Sequence, residues 1–202
     1  MSAFTDEERE YLASGVPLGR LATIGPDATP HEGLPRTLPA RALGGHVSFD
    51  TPAGTRGGRQ PGTGGAVGRW LQKRVMNRIR RKGKVPGLGF NALVLTTIGR
   101  KSGAERQTPV GWFPGQDGSW LIVASAGGGP RNPAWYYNLA AHPDKVHIEL
   151  PGRNVAVTAE QLHGTERKEA WRQITAAAPR FATYQQKTDR ELPVICLVPR
   201  SG

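Results

Sequence analysis

Residues 91–113 read NALVLTTIGRKSGAERQTPVGWF. The run 91–99 is apolar and β-branched and too short for a buried helix, so it reads as a buried strand. GRKSG (99–103) sets glycines around three polar residues, the chemistry of a tight turn. Residues 106–113 return as a strand in which Pro109, lacking an N–H, favours an edge or a bulge. The unit is a hairpin, and hairpins build antiparallel sheets.

The same alternation of strand and turn continues downstream. GQDG turns the chain into SWLIVAS (119–125), and ASAGGGPRNP (124–133) is a glycine loop. AWYYNLAA then reads as a helix, with Pro133 at its first position and Asn132 as its cap. KVHIEL and NVAVTAEQL are strands around a Pro-Gly turn, ERKEAWRQITAAA is a helix, PRFATYQQKTD is a shorter one, and LPVICLV is a closing strand. The order β-β-β-α-β-β-α-α-β predicts the α+β class: a small antiparallel barrel or sheet with helices against it.

Upstream of the hairpin, AVGRWLQKRVMNRIRRKGK predicts an amphipathic helix over 66–82. Val67, Trp70, Leu71, Val75 and Ile79 share one face, and Gly83 stops the helix. Residues 51–65 hold six glycines and no large apolar side chain, and are expected to form a flexible linker. Before them, HVSFD (46–50) and LGRLATI (18–24) read as strands. Thr5 and Glu8 form a capping box for a first helix that ends at Gly15. The expected organisation is an N-terminal segment 1–50, a linker 51–65 and a principal domain 66–202.

The chain has 202 residues, 27 glycines and 17 prolines, which suits a β-rich fold with many turns. The single cysteine, Cys196, lies in an apolar strand-like run and is expected in the core. The N-terminus is acidic and polar, and no apolar run approaches the ~18 residues of a membrane span. A reducing, cytoplasmic location is therefore the default expectation. The net charge of +11 is local: no acidic residue occurs between Asp50 and Glu105, an interval holding twelve lysines and arginines. Such a cluster points to an anionic partner. The basic helix reads as a solvated face, as a membrane-surface helix presenting Trp70, Leu71 and Val75, or as a gate over a cofactor site. Nucleic acid ranks third, since no reading motif is present.

No protein-borne catalytic motif is evident. The five histidines show neither HxH nor HxxxH spacing, so no metal site is expected. Neither a nucleophile elbow nor a Walker loop is present. Chemistry, if any, would then be carried by a cofactor. Two segments suit one. Arg100, Lys101, Ser102 and Arg106 gather cations, a hydroxyl and backbone amides in one arc, as phosphates require. Ser125, the glycines after it, Asn132, Trp135 and Tyr136 combine close backbone approach, a helix N-terminus and flat rings. Each has a plain alternative: a solvated turn, and a core helix after a loop.

Together, LVLTTIGRKSGAERQTPV, LIVASAGGGPRNPAWYYNLAAHPDKVHIEL and APRFATYQQKTDRELPVI make residues 66–200 resemble the deazaflavin-dependent nitroreductase and quinone reductase family. The resemblance implies a split β-barrel that binds coenzyme F-420, with FMN a lesser candidate. It implies hydride transfer from the reduced cofactor to a quinone or nitroaromatic acceptor. It places Arg100, Lys101, Ser102, Gly103 and Arg106 at the anionic part of the cofactor, counts Thr108 and Pro109 among the cofactor-binding positions, and sets Ser125, Ala126, Gly127, Asn132, Trp135 and Tyr136 around its ring. Ser125, Phe181 and Tyr184 are the expected catalytic positions, and a homodimer is a candidate assembly. Family members that reduce nitroimidazoles carry several tyrosines before TDR. Here the matching positions are Ala178, Phe181 and Tyr184, which favours a quinone over a nitro compound. The position after Ser125, often basic in the family, is Ala126. FTDEEREYLASGVPLGRLATIGPDATPH (4–31) resembles the opening of a pyridoxamine-phosphate-oxidase-like split barrel. The rival reading for the whole chain is a non-catalytic carrier or a basic membrane-surface protein.

Overall fold

The computed structural model describes residues 48–58, 66–84 and 90–200, all within one unit spanning His46–Gly202. The expected capping box, the strand 18–24 and the segment resembling a second split barrel lie outside the described residues. Residues 48–50, expected to end a strand, have no regular structure.

Six strands form a closed barrel: β1 (Asn91–Ile98), β2 (Glu105–Pro114), β3 (Trp120–Val123), β4 (Val146–Leu150), β5 (Arg153–Gln161) and β6 (Val194–Pro199), in the spatial order β1-β2-β3-β6-β5-β4. Every pairing is antiparallel, and β4 closes the barrel on β1 with Leu95 opposite Ile148. Four α-helices complete the described fold: α1 (Ala66–Lys82), α2 (Ala134–Ala141), α3 (Gly164–Ala177) and α4 (Arg180–Gln186). The split-barrel expectation and the order of elements from residue 91 onward both hold.

The period-two pattern of the strands sorts their side chains into two cores. Leu93, Leu95, Trp120, Ile122, Val146, Ile148, Val157, Ala159, Ile195 and Leu197 join one cluster, to which α2 adds Trp135, Tyr136 and Leu139. The alternate residues Leu121, Val123, Val194 and Cys196 pack instead with Ile174 of α3 and Phe181 of α4. Cys196 is thus core, as expected. Pro109 sits opposite Val94 in the part of β2 that pairs only with β1, where its missing N–H costs no second ladder bond.

Helix α1 lies against the other face of β1. Ile79, Val75 and Met76 pack on Ala92 and Val94. Arg80 fixes the helix with a bidentate pair to Glu149 of β4, Nε–Oε2 2.7 Å and Nη2–Oε1 2.9 Å. Val75, which the membrane reading set beside Trp70 and Leu71, therefore packs against the barrel with Ile79 instead. Trp70 is 56% exposed, and the Arg74 guanidinium lies 4.4 Å from its ring centre. The side chains of Val67 and Leu71 lie outside the described set. Gly83 stops the helix as predicted, at φ 64° with its N–H on the Ile79 carbonyl.

Candidate functional site

The turn joining β1 to β2 folds on itself. Gly99 N–H donates to the Ala104 carbonyl, and the Ser102 and Gly103 N–H groups both return to the Gly99 carbonyl. Gly103 takes φ 66°, which a side chain would strain. Arg100, Lys101, Ser102 and Arg106 are exposed, whereas Thr108 and Pro109 are half-buried along β2.

Asn138 ties this turn to α2, and sequence reasoning missed it. Its Oδ1 accepts from Arg100 N–H at 3.1 Å, and its Nδ2 donates to Thr97 Oγ1 at 3.1 Å. The Arg100 guanidinium then lies 4.9 Å from the Tyr137 ring centre. The available signal was one amide inside the apolar octet AWYYNLAA, since a buried amide requires partners.

The ring-side segment departs from expectation. Asn132 does not cap α2, whose cap position is Pro133 with no side-chain bond. Asn132 is instead 4% exposed, donating to the Thr51 carbonyl and accepting from Arg190 Nη1 at 2.7 Å. Trp135 and Tyr136 are interior residues rather than open walls, and the Tyr136 hydroxyl donates to Gln161 Oε1 at 2.7 Å. Burial of that phenol, first among the causes, raises its pKa above the ordinary tyrosine value. Ser125 and Ala126 are half-buried. Ser125 is right-handed and Ala126 follows at φ 48°, an order whose successive amides can face one concavity.

The three glycines of the loop do different work. A Cβ on Gly127 would meet nothing within 4 Å, so that residue stays open to a ligand. A Cβ on Gly128 would lie 2.6 Å from the Tyr184 carbonyl, so that glycine admits α4 instead. The Gly129 carbonyl is taken by Arg190 Nε at 2.9 Å.

Residues 51–58, expected to be flexible linker, are an extended strap bonded to this loop. Gly54 N–H reaches the Pro130 carbonyl at 2.7 Å and Gly58 N–H the Gly128 carbonyl at 2.8 Å. Phe49 packs edge-on against Tyr136, and Thr51 N–H donates to the Tyr136 hydroxyl. The stretch buries little apolar surface of its own, so its seating comes from the backbone bonds that small residues allow. Residues 59–65 lie outside the described set.

Asp189 and Arg190, unassigned by sequence reasoning, sit where strap and loop meet. Asp189 accepts from Thr55 Oγ1, Thr55 N–H and Arg56 N–H, bonds that lower its carboxyl pKa to about 2. Arg190 is 3% exposed and donates to Gly129, Asn132, Ala124 and Ser125. Burial lowers its pKa below the usual arginine value. A cleft of about 340 Å³ opens beside them, bounded by Asp50, Thr55, Gln161, His163 and Glu191. None of the basic-turn residues lines it.

Phe181 does not line an open pocket either. It is 5% exposed, within 5.5–6 Å of the Phe90, Phe113 and Tyr184 ring centres, as a packing residue of the outer core. Tyr184 is half-buried, with Lys187 Nζ 5.6 Å from its ring centre.

Comparison with known proteins bears on residues 70–199, which match the family described as F420H(2)-dependent quinone reductase. An F420H(2)-dependent quinone reductase of Mycobacterium tuberculosis is 34% identical over 149 residues, covering 66% of this chain and 99% of that protein. A solved structure described as an F420-H2 dependent reductase is 37% identical, covering 52% of this chain and 92% of its own, with a TM-score of 0.48. Another, described as a domain-swapped dimer, is 34% identical over 65% of this chain, with a TM-score of 0.49. With its match spanning most of the barrel and both loop segments, this chain belongs to the F420H(2)-dependent quinone reductase family.

Proposed function

We propose that this protein is an oxidoreductase that transfers a hydride from reduced coenzyme F-420 to a quinone-type acceptor. The observation that supports the reading is the Asn138 bridge, which ties the exposed Arg100-Lys101-Ser102 turn to α2, the helix that follows the ring-side loop in the chain. The reduced cofactor supplies a hydride, and a quinone that takes a hydride and a proton becomes a hydroquinone. The fit is chemical. Arg100, Lys101 and Arg106 offer exposed cations to an anionic tail, and Gly103 and Gly127 leave the main chain open to close approach. Ser125, Ala126, Thr108 and Pro109 complete the proposed lining. Trp135 and Tyr136 stiffen it from within, and Tyr184 is the one phenol proposed near the acceptor. We assign the reductase to residues 66–202, with the strap as an added wall. Nitro compounds are the poorer acceptors, because Ala178 and Phe181 supply no phenol to join that of Tyr184.

Fluorescence titration tests this. Wild-type protein is expected to quench F-420 in the micromolar range, and Arg100→Glu with Lys101→Glu to weaken binding about tenfold, a loss of about 1.4 kcal/mol. Absence of quenching by the wild type would sink the proposal.

The exposed Trp70 and the cations Lys73, Arg74, Arg78 and Arg81 of α1, which form no salt bridge among the described residues, favour a second element, contact with an anionic membrane at its cytoplasmic face. Sedimentation with anionic liposomes, lost in high salt and in Trp70→Ala, is the expected outcome.

A further inference from the structure

We propose that Thr188-Asp189-Arg190 is a positioning clamp that joins the strap 51–58 to the ring-side loop 124–132, so that binding at the loop and seating of the strap are coupled. The inference rests on the reading of that loop as part of the F-420 site.

The three side chains divide the work between two segments. Thr188 Oγ1 donates to the Arg56 carbonyl at 2.9 Å, and Asp189 accepts from Thr55 and Arg56. Both hold the strap. Arg190 points the other way, and its Nε, Nη1 and Nη2 donate to Gly129, Asn132, Ala124 and Ser125 at 2.7–3.0 Å. Among the described residues its acceptors are three carbonyls and one side-chain amide, with no carboxylate at contact. A buried guanidinium held only by neutral acceptors keeps a positive field beneath Ser125. That field favours an anionic or electron-rich ligand on the loop. The clamp is itself braced: Gln185 Nε2 donates to the Arg190 carbonyl at 2.7 Å and Gln185 Oε1 accepts from Leu192 N–H at 2.9 Å. Strap and loop also bond directly through Gly54 and Gly58. A change of loop geometry is thereby transmitted to the strap through rigid, short-range bonds.

Amide hydrogen exchange on the full chain, with and without F-420, tests the clamp together with F-420 titration. In the wild type, saturating F-420 is expected to slow exchange at Gly54, Thr55, Arg56 and Gly58 as well as at Gly128 and Gly129. In Asp189→Ala the Thr55 and Arg56 amides are expected to exchange at least about tenfold faster, with no protection by F-420, while Gly128 and Gly129 stay within about twofold. In Arg190→Gln the Gly128 and Gly129 amides exchange about tenfold faster and F-420 binds about tenfold more weakly. Arg190→Lys, which restores the charge without the planar fork, recovers part of the affinity but leaves the loop amides fast. Unchanged strap amides in Asp189→Ala, or unchanged loop amides in Arg190→Gln, overturn the proposal. If Arg190→Gln does not fold, Arg190→Lys decides by the same loop amides. Failure of the wild type to bind F-420 would sink the functional reading, while the exchange of the two variants still decides the clamp.

Discussion

Replacing Tyr136 by Phe separates two roles that its position could serve. The ring is 1% exposed and packs among Phe49, Tyr137 and the barrel interior, and Phe keeps all of that area. Only the hydroxyl is lost. It donates to Gln161 Oε1 at 2.7 Å and accepts from Thr51 N–H at 3.1 Å, so its removal orphans an acceptor in a buried side chain and a strap donor. Each loss is worth about 1 kcal/mol net, giving about 2 kcal/mol together. For a domain of this size that lowers Tm by about 4–8 °C. The sign with pH follows from burial, which raises the folded-state pKa. The contribution is fully present below the ordinary tyrosine value of 10.0 and is lost as pH rises through the folded value. Thermal melts at pH 7 and pH 8 are therefore expected to show the same gap between wild type and Tyr136→Phe. F-420 affinity is expected to change less than about threefold, because the hydroxyl faces Gln161 and the strap. An unchanged Tm with about tenfold weaker F-420 binding would refute this reasoning and make the phenol a ligand contact.

Other perturbations follow from single features. Ala126 sits at φ 48°, so Ala126→Gly is expected to raise stability by about 1 kcal/mol, read as a higher urea midpoint. Glu149→Gln weakens the Arg80 clamp on α1 and is expected to cost about 1 kcal/mol at neutral pH. The Arg80 bond depresses the folded pKa of Glu149, so that contribution is present above the ordinary 4.5 and fades as pH falls through the folded value. A gap between wild type and Glu149→Gln that does not narrow as pH falls below 4.5 would contradict it. The strap should behave likewise: the Asp189 carboxylate holds it at and above pH 3.8 and loses it as pH falls towards about 2, seen as faster exchange at Thr55 and Arg56 beyond the intrinsic trend.

The barrel was legible because its signals are local. Period-two alternation, a glycine in each of the β1–β2, β2–β3 and β4–β5 turns and Pro109 on a singly paired stretch are written within a few residues of each other. Helix α1 was equally legible as a helix, but which side faces the barrel depended on Ala92 and Val94, which only the closed sheet brings beneath Ile79. The strap was misread for a physical reason: residues 51–58 lack large apolar side chains, yet their backbone groups bond to the loop and to Asp189. Glycine content signals freedom in isolation and permits close approach in a fold. Asn132 shows the same limit, since Asn before Pro at a helix start is a sound capping signal until a buried Arg190, 58 residues away, claims its oxygen. Arg190 itself looked like one cation among many, because burial cannot be read from a residue type that is usually exposed.

The most direct measurement is anaerobic mixing of reduced F-420 with a quinone, followed by the return of the oxidised deazaflavin absorbance with and without this protein. The account predicts oxidation that needs both protein and quinone, proceeds one cofactor per quinone, and slows in Arg100→Glu with Lys101→Glu. Oxidation at the protein-free rate, by a protein shown to be folded, would contradict it.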